Sequence, residues 1–134
     1  MKRRLGPTVG VRKLHEAGSP RKIVVVTLAR PRKATNGDWV CPYQIRGLAT
    51  GRIQYAHGVD AVQALLLAFE GIRTQLSRTK KRLSWEGGEP GDTGFTRFVP
   101  TFFGLEFSKR LDQMIAREVD RFARKAKSVK RRTL

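Results

Sequence analysis

Three β-forming stretches follow one another with connections too short for a crossover, and this limits the available folds more than any other feature of the chain. "KIVVVTLAR" (22–30) is a β-branched run bounded by prolines, with apolar residues on both faces. In "WVCPYQIR", Trp39, Cys41, Tyr43 and Ile45 alternate with Val40, Pro42, Gln44 and Arg46, so the first four share one face of a strand. "RIQYAH" then places Ile53 and Tyr55 inward, with Arg52 and Gln54 outward. Asn36-Gly37 suits a tight hairpin and "GLATG" turns the chain again. Parallel neighbours need a crossover of a dozen residues or more, so the three strands pair antiparallel. Pro42 cannot donate to a ladder, which predicts an edge position or a bulge there.

The next signal is helical. In "GVDAVQALLLAFEGIRTQLSRTK", Asp60 is an N-cap with Gln63 three residues on, as in a capping box. Val62, Leu65, Leu66, Phe69, Ile72 and Leu76 form an apolar stripe. "RLSWE" predicts a short strand burying Leu83 and Trp85, and "GGEPGDTG" a loop. After a Phe-rich, proline-interrupted stretch, "SKRLDQMIAREVDRFARKAKSVKRR" predicts a second helix, with Leu111, Ile115, Val119, Phe122, Ala126 and Val129 stepping by three and four. This stripe is expected to cover the sheet or the first helix. The order is β-β-β-α-β-α, an α+β fold in which an antiparallel sheet carries a helix on one face and ends in a long basic helix. At 134 residues the chain is one domain, large enough to bury roughly two-thirds of its unfolded surface.

The net charge of +17 is unevenly spread. Residues 1–33 hold ten Lys/Arg against one acid, residues 34–107 eight against seven, and residues 108–134 ten against three. The expected organisation is a mostly disordered basic arm (1–20), a small α+β domain (21–107), and a basic amphipathic helix with its tail (108–134). Such self-repulsion is relieved by an anionic partner, most commonly the phosphates of nucleic acid.

The segments "DWVCPYQIRGL", "GVDAVQALLLA", "RLSWE" and Gly94-Phe95 resemble, over roughly 22–98, a small bacterial domain family of unknown function. The resemblance implies a fold unit and no catalytic residues. The basic extensions depart from the compact family pattern.

One cysteine excludes an intramolecular disulfide, and no His/Cys spacing resembles a metal cluster. A catalytic Cys41 needs a base, for which His15 and His57 are the candidates. Its phase with Trp39, Tyr43 and Ile45 instead places it in the apolar core, and His57 is a turn histidine before the helix cap. Glu86, Glu89 and Asp92 do not match a calcium loop, and the nearby glycines lack the ending of a phosphate-binding loop. No catalytic residue, metal ligand or cofactor is therefore assigned.

The expected function is non-enzymatic, sequence-independent binding of nucleic acid or another polyanion. Its residues are Arg110, Arg117, Arg121, Arg124, Lys125, Lys127, Lys130, Arg131 and Arg132 on the closing helix, with Arg46, Arg52 and Arg82 on the sheet face. The tails lack interleaved aromatics, which argues against reading of bases. An acidic protein partner is the first alternative. Peripheral membrane binding through the last helix is the second and is disfavoured by a stripe without Trp. No apolar run approaches the ~20 residues of a membrane span, and the amino terminus lacks the apolar segment of a secretory signal, so a cytoplasmic protein is expected.

Overall fold

The computed structural model describes residues 4–48, 51–99 and 101–133, with side chains at all of these except 20, 101 and 130–133. The chain divides into two compact units, Met1–Phe98 and Val99–Leu134.

The first unit is an antiparallel sheet with one helix on it. Its elements are β1 (Thr8–Glu16), β2 (Ser19–Ala29), β3 (Arg32–Lys33), β4 (Trp39–Arg46), β5 (Ile53–Gly58), α1 (Ala61–Ser77) and β6 (Leu83–Ser84). β4 pairs with β5 on one side and with β2 and β3 on the other, while β1 lies between β2 and β6. After the meander, α1 returns the chain across the sheet so that β6 joins the far edge.

β1 corrects the expectation of a disordered arm over 1–20. Its pattern is hard to see because its inward positions are Gly10, Arg12 and Leu14, of which only Leu14 is a buried hydrophobe. The backbone supplies what the side chains do not, through ladders to β2 and β6 on either side. Arg12 is tolerated inside because its guanidinium lies between Trp85 and Phe95, 5.0 and 4.9 Å from the two ring centroids.

Pro42 is not on an edge strand. The β2 ladder stops at Leu28–Tyr43 and the β3 ladder resumes at Arg32–Val40, so residues 29–31 stand opposite only Cys41 and Pro42. One extra residue on one side is a bulge, and the proline sits where pairing has lapsed. The hairpin at 34–38 forms as expected, with Gly37 at φ 92° and the Ala34 amide donating to the Asp38 carbonyl at 2.7 Å.

The helix cap is also as the sequence predicts. Asp60 Oδ1 accepts from the Gln63 amide at 2.8 Å, and Gln63 Oε1 accepts from the Val59 amide at 2.7 Å. The buried face of α1 shares Ile72 and Leu76 with the expected stripe, and Leu65 packs against the core, but Ala64 and Ala68 complete that face while Val62, Leu66 and Phe69 are exposed. Close packing decides this. A Cβ on Gly71 would meet the Tyr43 hydroxyl at 2.7 Å, and one on Gly58 would meet the Ala64 amide at 2.5 Å. The helix rests on its small residues because only they admit so close an approach. Leu14, Val24, Val26, Leu28, Cys41, Tyr43, Ile45 and Leu83 complete the core.

β5 is rotated relative to the sequence expectation. Gln54 pairs with Tyr43 and Ala56 with Cys41, so these two face α1 while Ile53 and Tyr55 face away. Polar groups are accommodated inside because they satisfy one another. Gln75 Nε2 donates to Gln54 Oε1 at 2.6 Å and to the Tyr43 hydroxyl at 3.2 Å, and Gln54 Nε2 donates to Gln75 Oε1 at 2.8 Å.

The second unit contains a 3₁₀ turn (Thr101–Phe103) and α2 (Leu105–Thr133). Phe102, Phe103 and Phe107 stack in sequence at its start, with ring centroids 4.4 and 5.6 Å apart. On α2, Ile115, Val119 and Phe122 of the apolar stripe are 62%, 61% and 73% exposed. Periodicity sets which residues share a flank, whereas burial needs a complementary surface, which the second unit by itself does not provide.

Candidate anion-binding surface

The meander gathers cations at one end of the sheet. β2 carries Arg21 and Lys22 near its start, β4 ends there at Arg46, β5 begins there after Arg52, and α1 ends there before "RTKKR" (78–82). Two backbone contacts tie these segments together. The Ala17 amide donates to the Arg82 carbonyl at 2.9 Å. Gly47, at φ 103°, lies so close to β2 that a Cβ would fall 2.8 Å from the Ile23 carbonyl oxygen. Only glycine fits that turn, which leaves β4 just after Arg46, the partner of Val25 in β2.

Of the expected sheet residues, Arg46 ends β4, Arg52 precedes β5 and Arg82 precedes β6. Arg52 lines a cleft of about 660 Å³ with Arg78, Lys81, Thr79, Gln54, Gln75, Gly51, Leu48 and Ile45. Among the described residues lining it, none is acidic. The sequence reading passed over Arg78, Lys80 and Lys81 because the balanced charge of the middle segment hid their clustering. The run of four cations in five residues directly after a helix was the available signal. Glu16 is a carboxylate near this end, opposite Leu83, and its Oε2 is buried without a hydrogen-bond partner among the described residues.

On α2, Arg117, Arg121, Arg124 and Lys125 line one shallow groove with Asp120. Positions three, four and seven apart lie on one helical flank, so this grouping follows from the sequence spacing. Arg121 Nη2 donates to Glu118 Oε1 at 2.7 Å; both side chains are about two-thirds exposed, so the pair restrains Arg121 weakly. Arg110 and Lys127 are exposed. Lys130, Arg131 and Arg132 continue the helix, but their side chains lie outside the described residues.

Cys41 faces the core, fully buried, with Sγ donating to the Ala29 carbonyl at 3.5 Å. Burial pushes its thiol up to about 11, so it stays protonated near neutrality. His57 pairs opposite Val40 and points to the other face of the sheet, as does His15 on β1. Burial likewise raises the Tyr43 phenol, against a lowering by its hydrogen bond to Gln75. The carboxyl of Glu70 is held below its usual range, chiefly by a bidentate contact with Arg73, whose nitrogens lie 2.9 and 2.6 Å away. Glu70 also accepts from the Phe98 amide at 3.0 Å, which ties the 95–98 segment to α1.

The fold and its charged end describe a small α+β domain with one cation-rich edge. The family model described as "Domain of unknown function (DUF6968)" matches residues 10–97, and the chain belongs to that family. No curated protein and no solved structure matches it. The matched region starts within β1, takes in the whole cation-rich end, and stops short of α2. The four segments of the resemblance have structural roles: β4 with its glycine turn, the capped start of α1, and the Trp85 and Gly94-Phe95 positions that enclose Arg12. Among the described residues, no helix is long and apolar enough to cross a membrane.

Proposed function

We propose that this protein is a non-enzymatic binding module for polyanions, with the nucleic-acid backbone as its partner and no sequence preference. The observation that carries this reading is the gathering of Arg52, Arg78 and Lys81 from separate segments around one cleft at the end of the sheet. Scattered surface cations need no partner, whereas cations brought together repel one another unless an anion lies between them. The groove of Arg117, Arg121, Arg124 and Lys125 on α2 supplies a second set of phosphate contacts. The buried, protonated Cys41 and the outward His57 support a role without covalent chemistry. An acidic protein is the second reading, favoured by the exposed Ile115, Val119 and Phe122 alongside those cations; a cytoplasmic setting suits either.

The test is fluorescence anisotropy with two duplexes of scrambled sequence. If ~6–10 phosphates are contacted, affinity falls by ~10³–10⁵ between 50 and 200 mM salt and is alike for both duplexes. Reversing Arg117, Arg121 and Arg124 to glutamate weakens binding to both and flattens the salt dependence. A flat salt titration of the unaltered protein, or strong preference for one duplex, overturns the proposal.

A further inference from the structure

We propose that the cleft lined by Arg52 before β5 and by Arg78 and Lys81 after α1 is a site for a nucleotide bearing a terminal phosphate monoester, supplied either by a strand end or by a free mononucleotide. The strand-end form rests on the polyanion reading above; the free-nucleotide form does not.

Charge is the first argument. Arg52, Arg78 and Lys81 line the cleft with no acidic residue among its described lining. A backbone diester carries one negative charge, but a terminal monoester carries about −1.5 to −2 at neutral pH and has three acceptor oxygens. Three cations around one recess match the monoester better than the diester. Arginine adds paired donors whose fork fits phosphate oxygens.

Shape is the second. The cleft's 660 Å³ falls within the roughly 300–1,000 Å³ typical of small-ligand sites. Ile45 and Leu48 give it an apolar wall, which a bare inorganic ion has no use for but a base or sugar covers.

The third is rigidity. Gln54 and Gln75 close the inner wall as a reciprocal amide pair, with Gln75 further bonded to Tyr43. Both Gln75 Nε2 hydrogens are engaged within this cluster, whereas Gln54 Nε2 makes one bond and retains a second N–H. Gln54 Oε1 accepts from both Gln75 Nε2 and the Tyr43 hydroxyl, so the wall holds its position without a ligand and still offers one Gln54 N–H and one lone pair on Gln75 Oε1 to a base or ribose.

The experiment compares 5′-phosphorylated and 5′-hydroxyl single strands of one sequence, with adenosine monophosphate and inorganic phosphate as separate ligands. The proteins are the full chain, an Arg52→Ala/Arg78→Ala double variant checked for folding by thermal unfolding, and a variant with Arg117, Arg121 and Arg124 reversed. The expected result is at least tenfold tighter binding of the phosphorylated strand. That preference is lost in the double variant and kept in the α2 variant. Equal affinity for the two strands together with no saturable binding of adenosine monophosphate overturns the site, while salt-sensitive binding of both strands leaves the polyanion reading standing. Saturable adenosine monophosphate binding that the double variant abolishes, without strand binding, supports the site with a free nucleotide as its source and defeats the polyanion reading. Inorganic phosphate binding as tightly as adenosine monophosphate overturns the nucleotide assignment.

Discussion

The sheet domain and the closing helix are both strongly basic, but they arrange their cations by different means. On α2 the grouping of Arg117, Arg121, Arg124 and Lys125 follows from helical spacing, so any helix with this sequence would show it. At the end of the sheet, Arg52, Arg78 and Lys81 come from two segments and line one cleft only because the meander and α1 return to one place. The apolar residues differ in the same way. Those of the domain are enclosed, with Leu14, Cys41, Ala68 and Ile72 fully buried, whereas Phe122 is 73% exposed. One unit has a core to lose, while the other presents an apolar stripe and a cationic flank to solvent.

Ile72→Ala gives the largest effect expected from this contrast. Ile72 is fully buried beneath α1, and its truncation is expected to cost about 2–5 kcal/mol in urea unfolding. A cost below 1 kcal/mol would mean that α1 is not seated on the sheet as described.

Arg12→Ala removes the cation held between Trp85 and Phe95, and a loss of about 1–2 kcal/mol is expected from the two ring contacts. Hydrogen exchange should quicken in residues 85–95, since Arg12 also donates to the Thr93 carbonyl at 3.5 Å.

Cys41→Ala is a packing defect worth about 1 kcal/mol at neutral pH, with polyanion binding retained. Its pH dependence is sharper. The denatured thiol ionises near pH 9 while the native one waits until about 11, so across that window the native state holds the extra proton. Stability therefore falls as pH rises from about 9 to 11 and is unaffected by this group below 9. The Ala variant should show a shallower fall in urea melts over that range, with the residual slope including Tyr43, whose phenol is also raised.

Phe122→Ala is the smallest. At 73% exposure it should change domain stability by no more than about 0.5 kcal/mol. A loss of 3 kcal/mol or more on thermal unfolding would show that the stripe of α2 is covered in solution.

The strands β2, β4 and β5, the Asn36-Gly37 hairpin, the Asp60 cap and both helices were legible in the sequence because each is encoded locally. Alternation, β-branching and cap chemistry act over a few residues. β1 was not legible: Arg12 stands at an inward position, and its accommodation depends on Trp85 and Phe95 some seventy to eighty residues away. The buried face of α1 is only half legible, at Ile72 and Leu76, for a related reason. Hydrophobicity favours Val62, Leu66 and Phe69, but Gly58 and Gly71 bring the helix so close that Ala64 and Ala68 must face the sheet.

By itself, then, the sequence determined the kinds of element, their order, the antiparallel pairing and the charge of the closing helix, because short-range backbone preference and short connections leave few alternatives. The tertiary structure decided which side of α1 is buried, that residues 8–16 belong to the sheet, and that Arg46, Arg52, Arg78 and Lys81 share one end of the domain. Those outcomes depend on close approach and chain return between residues far apart in sequence, which no local pattern records.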